Sequence, residues 1–183
     1  MAVGFDLYCQ LLKQAVAQFK GQKPRLRLDV DVRLDFLVTN EAEFVLPSVA
    51  RASALRPRGT SETHALHRIP AFVPVAYISD PAMRIRAYRE IAEITSREQL
   101  DRLRRDWRDR FGPFPPAVDN LFALVEMKLA AAESGVNRVE VRDRKVMLTR
   151  HGDFILVAGK FPRLVGSKVD QHLPEIVELI KKL

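Results

Sequence analysis

The side chains that could do chemistry in this sequence are few and scattered. Four histidines (His64, His67, His151 and His172) and one cysteine, Cys9, make up the imidazoles and thiols. His64 and His67 stand three apart, a spacing that could put two imidazoles on one helical turn around a shared metal, with Glu62 as the only further ligand nearby. Their setting reads as loop, so the pattern points to two exposed histidines and no metal site. Cys9 falls inside an apolar helical pattern between Tyr8 and Leu12, which suits a packed thiol rather than a nucleophile. None of the histidines is matched by a serine or cysteine in a nucleophile turn. A phosphate-cradling loop needs clustered glycines, ordinarily followed by a lysine. The eight glycines are dispersed, and neither G-x-x-x-x-G-K-[ST] nor G-x-G-x-x-G occurs. Asp29 and Asp31 alternate with arginines, neighbours that favour the ionised carboxylate and not a general acid. The residues thus predict a chain without catalytic machinery, cofactor or metal.

One stretch is denser. Asp109-Arg110-Phe111-Gly112 is followed by Pro113, Pro115 and Pro116, and an apolar helical pattern then begins. An arginine beside a glycine could grip an anion. The simpler reading is a joint: Trp107 and Phe111 anchor one helix, Gly112 supplies a left-handed stop, and Pro113 forbids continuation. Pro115 and Pro116 then fix the entry of the next helix, whose first turn has no partner for an N–H in any case. Arg110 is expected to brace the joint.

The elements around the joint follow from periodicity. Phe5, Tyr8, Leu12, Ala15 and Phe19 predict an amphipathic amino-terminal helix stopped near Gly21 and Pro24. From Leu26 to Val38 apolar residues occupy every second position, which predicts one long half-buried strand with a bend near Asp31. Residues 39–70 read as a surface excursion, and 71–80 as an extended, Pro-interrupted edge or linking segment. Asp80-Pro81 opens a helix with Ile85, Tyr88, Ile91 and Ala92 as its inner stripe, and Thr95 to Glu98 has the spacing of a capping box for a second. That second helix turns Leu100, Leu103, Trp107 and Phe111 inward and an Arg/Asp-laced face outward. Leu121, Leu124, Val125, Leu129 and Ala132 define a third helix ending at Gly135. A hairpin across Asp143-Arg144, a second turn at Gly152-Asp153 and a short terminal helix over Ile176–Ile180 complete an α+β fold, with helices packed on a small, mostly antiparallel sheet.

Composition sets the class. The 183 residues, 47% hydrophobic and 29% charged, suit one globular domain with a core of its own. No apolar run approaches the ~20 residues that cross a bilayer, and the start lacks a basic, cleavable leader, so the cytoplasm is the expected compartment. The net charge of +7 permits an acidic partner. The excess is spread out. Residues 80–112 carry nine Arg against seven acids, 51–69 four Arg against one, and 138–151 five Lys/Arg against two, without interleaved aromatics. A small basic nucleic-acid-binding module is the alternative that this balance keeps open.

Taken together, Tyr77-Ile78-Ser79-Asp80, the Arg84/Tyr88/Ile91 helix, Asp109-Arg110-Phe111-Gly112 with Pro115, and Gly135-Val136 resemble the C-terminal (TRCF) domain of the Mfd family, the bacterial transcription-repair coupling factors. The likeness runs over residues 2–36 and 69–150. It implies a division into a linking helix at 1–24, continuing from a translocase region, and a TRCF-like domain at 25–183 with an insertion at 39–68. The implied role is regulatory and non-catalytic, in transcription-coupled nucleotide excision repair. In the family this domain packs on the UvrB-like module of the same factor and masks recruitment of UvrA until stalled RNA polymerase is engaged. DNA is handled by the motor, whose motifs this chain lacks, and no membrane is involved. The resemblance makes Arg84, Arg104 and Arg108, with Asp109 and Arg110 at the rim of the joint, the candidate partner contacts.

Overall fold

The computed structural model describes residues 30–44 and 68–183. The expected amino-terminal helix, Cys9, Asp29, His64, His67 and most of the 39–68 segment lie outside the described residues.

Of the strand expected over Leu26–Val38, the described part begins at residue 30 and breaks sooner than one long strand would allow. β1 is Asp31–Leu34 and β2 is Leu37–Val38, separated by a turn at Asp35 and Phe36 rather than by a bend at Asp31. The turn sends the two strands into different sheets. β1 pairs in parallel with β4 (Arg138–Arg142), whereas β2 pairs in parallel with β3 (Ile69–Pro70). Phe36, almost fully buried at the corner, makes the change of direction favourable.

The main sheet runs β1-β4-β5-β6, with β5 at Lys145–Arg150 and β6 at Asp153–Ile155. Its β4–β5 and β5–β6 pairings are antiparallel, so the sheet is mixed and mostly antiparallel. The β4–β5 turn is the expected one: Asp143 (φ 49°) and Arg144 (φ 64°) both adopt the left-handed conformation that a tight two-residue hairpin requires. Asp35 Oδ2 accepts the Asp143 N–H at 2.8 Å, holding that turn from the end of β1. No strand lies between β3 and the helix that opens at Pro81; residues 71–80 form a turned link into it.

Four α-helices complete the described fold: α1 (Pro81–Ala92), α2 (Arg97–Phe111), α3 (Pro116–Glu133) and α4 (His172–Lys181). Asp80 caps α1 as expected, its Oδ1 accepting the Met83 N–H at 2.9 Å. The cap of α2 falls one residue later than the Thr95–Glu98 reading. Ser96 Oγ accepts the Gln99 N–H, and Gln99 Oε1 reaches back to the Thr95 N–H at 2.7 Å. Helix α3 ends at Gly135 (φ 69°), where the Val136 N–H donates to Ala131 O and the Gly135 N–H to Ala132 O, a Schellman closure.

α3 is the spine. Met127, Ala130 and Ala131 join Val139, Val141, Val146 and Leu148 of the sheet and Leu173, Ile176 and Ile180 of α4 in one core. On its other side Val118, Leu121, Phe122 and Val125 join Ala87, Ile94, Leu100 and Trp107 of α1 and α2 in a second. This two-sided burial explains a helix with nine buried residues and little amphipathicity. Helix α1 departs from its expected stripe. Ile85, Tyr88 and Ala92 are exposed, and small Ala87, with Ile91 and the following Ile94, faces the core instead.

Candidate partner-binding groove

Helices α1 and α2 are joined by a polar contact that reading each helix alone did not reveal. Trp107 is completely buried, so its indole N–H needs an acceptor. Glu90 of α1 supplies it: Oε2 takes the Trp107 Nε1–H at 3.1 Å and an Arg110 Nη2–H at 3.3 Å, while Oε1 takes the Arg86 Nε–H at 3.2 Å. Glu90 is therefore the pin between the helices. The signal for it was present in the single tryptophan, whose indole donor had no partner within its own helix.

Above this contact the two helices splay into an open groove of about 580 Å³, lined by Arg86, Arg102, Asp106, Asp109 and Arg110 over a floor of Ile94 and Leu103. Charges of both signs alternate along its walls. Such a surface accommodates a polar protein surface; a polyanion would meet Asp106 and Asp109.

The five anticipated contact residues fall in three places. Asp109 and Arg110 line the groove, with the Arg110 guanidinium 5.1 Å from the Phe111 ring centroid, bracing the joint as expected. Arg84 turns inward, its Nη1 donating to Ile78 O at 2.8 Å and Ser79 O at 3.1 Å, and so fixes the segment leading into α1. Arg104 and Arg108 lie over α3 and the elbow. Arg104 sits 5.3 Å from the Phe122 centroid and 3.7 Å from Glu126, and Arg108 sits 5.1 Å from the Phe114 centroid. The structure thus brings Asp109 and Arg110 together with Arg86, Arg102 and Asp106, which the sequence reading had not singled out, and places Arg84, Arg104 and Arg108 elsewhere.

The elbow is built as a joint. Gly112 (φ 84°, ψ −164°) occupies a conformation open essentially to glycine alone, and Pro115 and Pro116 open α3. The Tyr77 hydroxyl donates to Gly112 O at 3.3 Å, and the Tyr77 ring packs edge-on against Phe111 and Phe114. Burial, reinforced by the Asp119 carboxylate and opposed by Arg108, pushes the Tyr77 phenol above its ordinary pKa.

Of the histidines within the described residues, His151 sits in the β5–β6 turn, and His172 is packed edge-on against Phe36 with Nε2 3.1 Å from Gly166 O. Among the described residues no three His, Cys, Asp or Glu side chains are placed to hold a metal ion, and no helix is long and apolar enough to cross a membrane.

Residues 67–153 match the family model of the TRCF domain. The transcription-repair-coupling factor of Myxococcus xanthus is 26% identical over 181 residues, which is 98% of this chain and 12% of that protein. The factor of Bacillus subtilis is 27% identical over 151 residues (81% of this chain, 10% of that protein), and that of Haemophilus influenzae 30% identical over 140 (76% and 10%). The chain therefore spans about a tenth of the length of the curated relatives it matches. A solved structure of the C-terminal domain of transcription-repair coupling factor superposes with a TM-score of 0.48 at 23% identity, covering 62% of this chain and 90% of that one. By the family model and these relatives together, residues 67–153 match a TRCF domain, and the chain as a whole is similar to transcription-repair coupling factors.

Proposed function

We propose that this domain is a non-catalytic regulatory module of transcription-coupled nucleotide excision repair in the bacterial cytoplasm, which packs on the UvrB-like module of its factor and masks recruitment of UvrA until RNA polymerase is engaged. The observation that carries the reading is the α1–α2 groove. Its walls are charged with both signs, its floor is apolar but small, and its two helices are held by a polar pin instead of a wide apolar seam. A contact that must form and release calls for a polar, modest surface of this kind.

Titration calorimetry of the chain against an isolated UvrB-like module tests the proposal. Saturable binding is expected, weakened at least about tenfold by reversing Asp109 and Arg102 together, a loss of about 1.4 kcal/mol. Absence of binding overturns it. Affinity for duplex DNA instead, falling steeply with salt, establishes the basic nucleic-acid module in its place.

A further inference from the structure

The outer edge of the main sheet carries an exposed apolar cluster on elements separate from the groove. After β6 the chain leaves the sheet. Val157 and Lys160 exchange backbone hydrogen bonds of 2.9 and 3.1 Å across Ala158 and Gly159, and the edge resumes where the Val146 N–H donates to Pro162 O at 2.8 Å. The excursion presents Leu156 and Val157 to solvent at 48% and 49% exposure, following Phe154 at 58%; Val165, 82% exposed, lies farther along the same edge, past the bridge between Lys145 and Arg163. Phe154 and Phe161 meet edge-on at 5.4 Å, and Lys145 Nζ stands 5.0 Å from the Phe161 centroid.

Val165 is exposed and yet fixed. Its N–H donates to Glu175 Oε1 at 2.6 Å, and its carbonyl accepts from Arg144 Nη2 at 3.0 Å. The same guanidinium holds Leu164 O and Gly166 O. A solvent-facing valine on a backbone clamped from both sides is a preorganised knob, and clustered exposed apolar side chains with a charged rim mark an interaction surface. The cations beside the excursion are Lys145 and Arg163, bridged through their backbones, and Lys160, bridged to Val157, against the single carboxylate of Asp153.

We infer that this edge docks an acidic protein segment carrying apolar side chains, which rest on Phe154, Leu156, Val157 and Val165 while its carboxylates meet Lys145, Lys160 and Arg163. A second copy of the chain would bring the same cations against one another. Nucleic acid has no use for Leu156, Val157 and Val165, which cannot stack on bases. Simple strand addition is blocked because the edge is interrupted between Ile155 and Pro162. The occupant therefore packs on side chains.

The test is an amide NMR titration of the full chain with two synthetic extended peptides of identical Leu/Phe spacing, one with Glu and one with Lys at the intervening positions. The acidic peptide is expected to shift amides between Asp153 and Val165, to bind at least about tenfold more tightly than its basic counterpart, and to weaken with salt. The double variant Leu156→Ser/Val157→Ser should lose this binding with its melting temperature unchanged, since both side chains are half exposed already. Absence of shifts, equal affinity for the two peptides, or shifts confined to α1 and α2 each overturn the inference. So does a single-stranded oligonucleotide that displaces the acidic peptide from the same amides.

Discussion

Replacing Glu90 by alanine tests whether the polar pin, and not general apolar contact, sets the α1–α2 geometry. The substitution removes the acceptor of the Trp107 indole N–H, a group completely buried while Glu90 is in place. An unsatisfied buried donor costs about 1–3 kcal/mol. The Arg110 pair, whose partner is 43% exposed, adds about 0.5 kcal/mol, and the Arg86 pair, 76% exposed, adds close to nothing. The expected loss is about 1.5–3.5 kcal/mol, or a fall in melting temperature of about 3–14 °C for a chain of this size. Glu90→Gln keeps an acceptor oxygen and should lose no more than about 1 kcal/mol. Urea denaturation followed by circular dichroism measures these values, and the fluorescence of the sole tryptophan reports the change around it directly. A double-mutant cycle with Trp107→Phe isolates the contact, with a coupling of about 1–2 kcal/mol expected. A loss below about 0.5 kcal/mol for Glu90→Ala, or no coupling in the cycle, refutes the assignment of Glu90 as the pin.

Three further outcomes follow from particular contacts. Gly112→Ala should destabilise by about 1–3 kcal/mol through backbone strain alone, because no atom lies within 4 Å of where its Cβ would stand; an undisturbed melting temperature contradicts the glycine-only conformation. Tyr77→Phe should cost about 1 kcal/mol at neutral pH for the bond to Gly112 O. Because the folded pKa of Tyr77 is raised, its protonated form is favoured by folding; that stability is fully present below the unfolded tyrosine pKa near 10 and is lost as pH climbs toward the folded value, so the phenylalanine variant should show a shallower alkaline decline in denaturation midpoint than the parent. Glu175→Ala removes the acceptor of the Val165 and Gly166 N–H groups and should cost about 1–3 kcal/mol, with hydrogen exchange at those two amides accelerated before the α4 amides respond.

What the sequence disclosed and what it hid divide along a physical line. Signals carried by single residues or near neighbours were legible: Asp80-Pro81 at the start of α1, Gly112 and the prolines at the elbow, Gly135 after α3, and the Asp143-Arg144 hairpin all depend on local backbone preferences. The alternation of 26–38 was equally clear, but it could not show that Asp35 and Phe36 turn the chain into a second sheet. Both halves keep the same period, and the break is stabilised by Phe36 entering a core built from α3, α4 and distant strands. Asp109 and Arg110 were singled out because they flank the elbow. Arg86, Arg102 and Asp106 were not, because their meeting depends on the pairing of two helices.

Helix α1 shows why periodicity alone could not decide the orientation. It has apolar residues on two faces, and the wider stripe through Ile85, Tyr88 and Ala92 is the one left outside. Two requirements outweigh that stripe. Only a residue as small as Ala87 allows the helix to approach the core closely, and only the turn that faces Ala87 inward also brings Glu90 to the Trp107 indole. The energetic comparison favours this arrangement: facing Glu90 to solvent would strand a buried donor, at about 1–3 kcal/mol, whereas Tyr88 outside still places its hydroxyl 2.9 Å from the Val73 N–H and accepts it. A polar demand created in α2 thus selects the face of α1, and the residue that meets it, Glu90, also lines the groove on which the proposed partner contact depends.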